Sequence, residues 1–231
     1  MTVDAVPAGA GPRGLILSGA GEYADAWHPF PETSRRLAEL LAGAGCQTEI
    51  TEDLPGRLQD LAGVDLLVVN AAAGPSGSSR AGAEHGLAEF LAGGGGILAV
   101  HVGVCSLLDL PGWPEVSGAA WIAGRTMHPP LGPCRIDVRP IGHPLVASLG
   151  SFDVVDERYA HLDLRGGSTV LATHTHEGLD HPLVWARAVG WGRLVADALG
   201  HGPESYDSPG HRALIAAAVD WLTERRRAAL S

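Results

Sequence analysis

The segment GGGGILAVHVG, residues 93–103, decides how this chain is read. Its four glycines end the helix-like stretch before them. Ile97 to His101 then reads as a buried strand, and Gly103 permits a tight turn directly after it. A buried strand that runs into a small-residue turn and a short helix projects one side chain at the top of a sheet. The residue at that tip is His101, expected to sit partly exposed at the carboxyl edge. Histidine is not an ordinary elbow nucleophile, so acyl transfer of the serine or cysteine kind is not expected. Cys105, one helical turn further on, is the remaining thiol candidate, and a buried cysteine is usually inert packing.

Outward from this segment, strands and helices alternate. Arg13 to Ser18 (RGLILS) reads as a strand ending in a Gly-Ala-Gly loop. Glu32 to Ala42 places Leu37, Leu40 and Leu41 at helical spacing, stopped by Gly43 and Gly45. Cys46 to Thr51 and Val64 to Asn70 (VDLLVVN) read as strands, the latter a continuous apolar run of the kind buried in a parallel sheet. Arg80 to Leu91 reads as a helix. This order predicts right-handed crossovers and a doubly wound, mostly parallel α/β sheet flanked by helices, like that of flavodoxin, with strand-end loops gathered on one edge. The second half adds antiparallel strands: Arg135–Arg139, and Thr169–His176 joined to Leu183–Val189 by a hairpin turn at Glu177–Asp180. Arg193–Leu199 returns as a buried strand. Ser208 is the expected N-cap of a last helix that opens on Pro209. Met1–Pro12 reads as a flexible lead-in, and residues 13–231 as one domain.

The 231-residue chain carries a net charge of −10, and all 16 of its basic residues are arginines. An acidic chain is not steered towards nucleic acid or an anionic membrane. The only basic cluster, Arg225-Arg226-Arg227, suits a helix C-terminus. The lack of lysine removes Schiff-base chemistry. No apolar run is long enough to span a bilayer, and the start lacks the pattern of a signal peptide. Three widely spaced cysteines, Cys46, Cys105 and Cys134, argue against a disulfide framework and for a reducing, cytoplasmic setting. The glycines lack GxGxxG spacing, so no nucleotide cofactor is expected.

Histidine is the unusual component, with eleven residues. His201 and Glu204 follow a buried strand within Gly200-His201-Gly202-Pro203-Glu204, a candidate base with a carboxylate to orient it. Trp27-His28-Pro29-Phe30 lies in the first strand–helix loop, where Pro29 keeps His28 out of helical backbone. Arg125 and His128 flank a rigid turn in GRTMHPP, and Asp156, Glu157 and Tyr159 follow an apolar stretch. His101, His201, Glu204 and Glu157 are thus the catalytic candidates. Trp27, His28, Arg125, His128, Asp156 and Tyr159 are the substrate-binding candidates. Three imidazoles from three strand-end loops, His28, His101 and His201, would suit Zn²⁺ or another divalent cation with water completing its shell, or equally an acid/base site without metal. Glu204 or Glu157 would stand behind such an ion. His174 and His176 share one strand face, read as a solvated hairpin surface rather than a zinc pair. His143-Pro144 and His181-Pro182 read as turn or strand-start residues.

Taken together, the stretch from His28-Pro29-Phe30 to Thr33-Ser34, ILAVH, GRTMHPP, GHPL, DERY, DHPLVWARAVGWGR and ALGH resemble the ThuA-like (trehalose utilisation) family, over roughly Leu15 to Leu222. That family's fold resembles class I glutamine amidotransferases, which carry a cysteine at the elbow and a late His-Pro-Glu segment. Here the elbow holds His101 and the late segment reads His201-Gly202-Pro203-Glu204, so glutaminase activity is not expected. The resemblance implies a role in sugar utilisation, with trehalose or a related disaccharide as the small-molecule partner. Acid/base or metal-assisted chemistry on a sugar is one expectation. A non-catalytic sugar-binding or regulatory module and a Cys105-dependent amidase are the alternatives. The sequence leaves a homo-oligomer open.

Overall fold

The computed structural model describes residues 11–107 and 110–230, with side chains up to residue 224. The expected lead-in, except for Gly11 and Pro12, and the side chains of Arg225–Arg227 lie outside the described residues. In chain order, the first half comprises β1 (Arg13–Ser18), α1 (Phe30–Gly43), β2 (Gln47–Thr51), α2 (Leu54–Gln59), β3 (Leu66–Asn70), α3 (Arg80–Ala92) and β4 (Gly96–Val100). The second half comprises α4 (Gly103–Ser106), α5 (Trp113–Ser117), β5 (Ala119–Ala120), β6 (Gly132–Val138), β7 (Phe152–Asp156), β8 (Asp163–Leu164), β9 (Thr169–His176), β10 (Leu179–Val189), β11 (Gly192–Asp197) and α6 (Pro209–Leu230).

Among the described residues, nine strands form one sheet in the order β2-β1-β3-β4-β11-β10-β9-β6-β7. The run from β2 to β11 is parallel, and the remaining strands continue it antiparallel. Every residue of β3 and β4 is buried, which is why these stretches read as unbroken apolar runs rather than alternating ones. Burying each Leu, Ile or Val there contributes about 1.5–3 kcal/mol. The chain moves from β1 outward to β2, then back past β1 to β3 and on to β4. Right-handed crossovers place the connections of these two directions on opposite faces, so α1 covers one face and α2 and α3 the other. Helix α6 packs on α1. The reversal of direction lies between β1 and β3, where an open α/β sheet leaves a crevice at its carboxyl edge.

The expected elements are present with shifted ends, and several readings are corrected. Helix α2 did not stand out in the sequence, because it is short and contains Pro55 and Gly56; Asp53 caps it by accepting the Gly56 N–H at 2.9 Å. The hairpin turn is Glu177-Gly178 alone, both at positive φ, and Leu179 already pairs with His176. His181-Pro182 therefore lies inside β10, not at its start. The ladder shifts register just after Pro182, a residue with no N–H to give it. His174 is not on a solvated face: it is 1% exposed. Ser208 caps α6 as expected, its Oγ accepting the His211 N–H at 3.4 Å. No helix among the described residues is long and apolar enough to cross a membrane.

Candidate functional site

Four loops at the carboxyl edge build the site. At the end of β4 the chain turns sharply: His101 has φ 46, and its N–H is held by the Asp197 carbonyl at 2.7 Å. Gly103 must lack a side chain here, because a Cβ would fall 2.3 Å from the Val69 carbonyl oxygen. His101 is buried, 1% exposed, and not partly exposed as expected. Its ring lies under Tyr159, 4.6 Å between centroids, and against His28 and His201.

After β1, the Asp25 carboxylate accepts the N–H groups of Trp27 and His28, both at 2.9 Å, and the His28 Nδ1–H at 2.7 Å. After β11, the buried Asp156 carboxylate accepts the N–H of Gly200 at 2.7 Å and of His201 at 3.1 Å, and also the Ser205 hydroxyl. After β7 comes Glu157, whose own N–H also donates to Asp156, at 2.8 Å. Asp156 thus ties the loop carrying Glu157 to the loop carrying His201.

These loops bring His28, His101, His201 and Glu157 together, with one ligand atom from each lying within 4.8 Å of all the others. His201 Nδ1 is 3.3 Å from His101 Nε2 and 3.5 Å from Glu157 Oε2, and His101 Nε2 is 3.8 Å from Glu157 Oε1. Tautomers follow from the partners. The Ala198 carbonyl, 3.1 Å from His101 Nδ1, fixes the proton there and leaves a lone pair on Nε2. Asp25 does the same for His28, whose Nε2 is buried without a hydrogen bond. Burial, reinforced by the charge of neighbouring His28, holds His101 well below the usual imidazole range. Burial also lowers His201, against the opposing pull of Glu157. Burial works against the charge of Asp25, but its Trp27 and His28 donors outweigh this and hold its carboxyl below the usual range. The cluster therefore offers the Nε2 lone pairs of His28 and His101 beside the His201 ring and the Glu157 carboxyl group.

This set fits a divalent cation. Zinc takes nitrogen and carboxylate ligands at about 2.0–2.2 Å, which puts tetrahedral ligand atoms about 3.4 Å apart. Ligating histidines ordinarily donate their other ring N–H to a carboxylate or a backbone carbonyl, as His28 and His101 do here.

His28, His201 and Glu157 of the cluster line a cleft of about 850 Å³ walled by Trp27, Trp121, Tyr159, Val102 and Cys105, with His101 buried beneath it. Trp27 stands 75% exposed at the rim. His128 also lines the cleft, its Nδ1 3.4 Å from Glu157 Oε2. Other expected residues lie elsewhere. Glu204 sits in the turn Pro203–Asp207 and influences His201 only as a nearby charge. Asp156 is fully buried behind the cleft. Arg125 pairs with Asp163 at 2.8 Å, away from the cleft lining. Burial pushes the Cys105 thiol up to about 12, which disfavours the thiolate that a nucleophile needs.

Two features escaped the sequence reading. Asp25, three residues before His28, has the spacing of a side chain that bonds its own following backbone, and this was the available signal. The second is a buried chain: Asp156 accepts from the Ser205 hydroxyl, Ser205 Oγ lies 2.8 Å from His211 Nδ1, and His211 Nε2 lies 2.8 Å from Asp197 Oδ2. Its signal was Asp197, a carboxylate inside the otherwise apolar run RLVADAL.

Comparison with known proteins agrees with this architecture. A ThuA-like protein from Parabacteroides merdae superposes with a TM-score of 0.78 at 17% identity, covering 92% of this chain and 90% of its own. A second, from Bacteroides uniformis, gives 0.74 at 17% identity over 96% and 95%. A protein from Thermoplasma acidophilum described as part of a GMP synthase gives 0.61 at 14% identity over 96% and 98%. At these identities the likeness concerns the fold. The comparison with curated proteins returned no match. The sequence itself matches the family described as "ThuA: Trehalose utilisation" across residues 15–222, from β1 through most of α6 and including every residue of the histidine–glutamate cluster, and the chain belongs to that family.

Proposed function

We propose that this ThuA-family chain is an enzyme acting on a sugar, trehalose or a related disaccharide, oxidised or not, with a divalent cation held by His28, His101, His201 and Glu157. The supporting observation is His28 Nε2, a buried lone pair without a partner, beside two further nitrogens and a carboxylate. A buried acceptor left unbonded costs about 1–3 kcal/mol, and a cation removes that cost. When bound, such a cation supplies Lewis acidity to a substrate oxygen or a water.

The protein's own groups do the rest. Trp27 and Trp121 offer flat apolar faces to a sugar ring. His128, with a side chain 42% exposed at the cleft wall, stands beside Glu157 and is placed to accept or give a proton at its ring. Tyr159 and Cys105, both buried, add apolar surface to the cleft. Cys105 and Cys134, buried and outside any disulfide, support a reducing, cytoplasmic setting.

The test is elemental analysis of the purified protein, before and after reconstitution, alongside His28→Ala and His201→Ala. Wild type should hold about one cation per chain, and each variant a tenth of that or less. Trehalose and its oxidised derivatives should be turned over only by the loaded wild type. A wild-type protein that holds no cation even after reconstitution would remove this reading. A loaded protein that binds disaccharides without turnover would select the non-catalytic binding module.

A further inference from the structure

A second group of histidines stands behind the cleft. His174 of β9 and His181 of β10 face each other directly across the hairpin ladder, with ring centroids 5.4 Å apart. His161 meets His181 edge-on at 4.5 Å. His174 is 1% exposed and His181 5%. Each commits one nitrogen to the backbone of the strap formed by residues 157–161. The His174 Nε2–H donates to the Tyr159 carbonyl at 3.0 Å, and His181 Nδ1 accepts the His161 N–H at 3.2 Å. Each leaves its other nitrogen buried without a hydrogen bond.

This tautomer pattern does not suit a second metal centre. A ligating imidazole donates its distal N–H outward, whereas His181 accepts at Nδ1 and so carries its proton on Nε2. Leucine at either position would leave no ring nitrogen unbonded, but it would strand the Tyr159 carbonyl or the His161 N–H. What the imidazoles add over leucine is their contact with the strap.

The strap needs holding. His161 has φ 59, a left-handed conformation that a non-glycine residue keeps only when its surroundings impose it. Ala160 exchanges two hydrogen bonds with Met127, at 2.8 and 3.1 Å, and the Thr126 hydroxyl donates to the His161 carbonyl at 3.1 Å. At its other end the strap delivers Glu157 to the histidine cluster and the Tyr159 ring to the face of His101.

We propose that His174 and His181 are positioning residues: as a buried clamp on the strap 157–161 they set where Glu157 and Tyr159 stand against His28, His101 and His201. The proposal rests on the metal reading of that cluster, so its test reads strap and cation separately. Full-length His174→Leu and His174→Gln are compared with wild type, and His181→Leu serves as a second variant should His174→Leu fail to fold. Amide hydrogen exchange reads the strap, and titration with Co²⁺ reads the cluster.

In His174→Leu, exchange over 157–161 should accelerate at least tenfold while β3 and β4 stay protected, and Co²⁺ should bind at least tenfold more weakly. Gln presents an amide donor at a reach similar to that of Nε2, so His174→Gln should recover both. Unchanged exchange over the strap in the leucine variants overturns the proposal. A loosened strap with unchanged Co²⁺ affinity overturns it as well. A wild type that takes up no Co²⁺ defeats the metal reading instead, and strap exchange alone then decides the clamp.

Discussion

The Asp25 carboxylate holds His28 by Nδ1 at 2.7 Å, and the far nitrogen of the same ring, Nε2, is buried without a partner. The pairing fixes both the rotamer and the tautomer of His28. An amide at position 25 could offer its N–H to Nδ1 and move the ring proton to Nε2, turning the lone pair away from the cluster. Asp25→Asn is therefore expected to weaken divalent-cation binding about 10–100-fold, the usual effect of losing a carboxylate behind a ligating histidine. The fold should be little affected, since the 25–28 turn keeps an oxygen acceptor. Competition against a chromophoric chelator measures this, and an unchanged affinity would remove Asp25 from the site.

Asp156 carries a different kind of burden. Its buried carboxylate accepts from Gly200, His201, Ser205 and Glu157 at once. Burial pushes its pKa to about 6 despite the opposing donors, Ser205 first among them. Asp156→Ala strands several buried donors together and should cost about 3 kcal/mol or more in urea denaturation at pH 8. A loss under about 1 kcal/mol would show that the β7 and β11 loops hold together without it.

The parallel half of the fold was legible because β1, β3, β4 and β11 are buried on both faces and leave unbroken apolar runs. His28, His101 and His201 could be gathered from sequence for a topological reason: each follows a strand of that sheet, and the doubly wound order sends such loops to one edge. Glu157 was legible only as a candidate, because β7 is an antiparallel edge strand and no local pattern fixes where its end points. The burial of His174 was not legible. A Thr-His-Thr-His alternation reads as a half-solvated strand, and the strap that covers His174 comes from residues with no regular pattern of their own. Asp156 and Arg125 were misplaced for a related reason: composition names polar residues near a turn but not the direction in which they face.

Acid should weaken the fold through His174. Burial lowers its pKa to about 4, with Arg158, His181 and His176 opposing its charge and the Tyr159 carbonyl partly offsetting them. The unfolded chain takes up this proton near pH 6.5, so between there and pH 4 the unfolded state binds more protons than the folded one. The contribution is complete above pH 6.5 and is lost progressively as pH falls towards 4. Denaturation of wild type and His174→Gln at pH 7, 6 and 5 isolates this group from the other histidines. Wild type should lose more stability than the variant over that range, and parallel losses would contradict the burial of this imidazole.

Gly103 sets the height of the elbow. A Cβ there would lie 2.3 Å from the Val69 carbonyl oxygen and 3.1 Å from its carbon, and both are backbone atoms of β3. A side chain could swing aside, but β3 is hydrogen-bonded to β1 and β4 on either side and cannot. Gly103→Ala must therefore lift α4 off the sheet, with an overpacking cost of about 1–3 kcal/mol. His101 sits two residues earlier, its N–H tied to Asp197 at the end of β11 and its Nδ1 to Ala198 just after it, so the strain falls on the residue whose Nε2 meets the cluster. Gly43→Ala is the control: it lies at the end of α1 with no atom within 4 Å of an added Cβ. There alanine should be neutral or stabilising by about 0.4–1 kcal/mol. Gly103→Ala should lower both the urea midpoint and the Co²⁺ affinity, and Gly43→Ala neither. If both variants keep wild-type cation affinity, the elbow does not position His101.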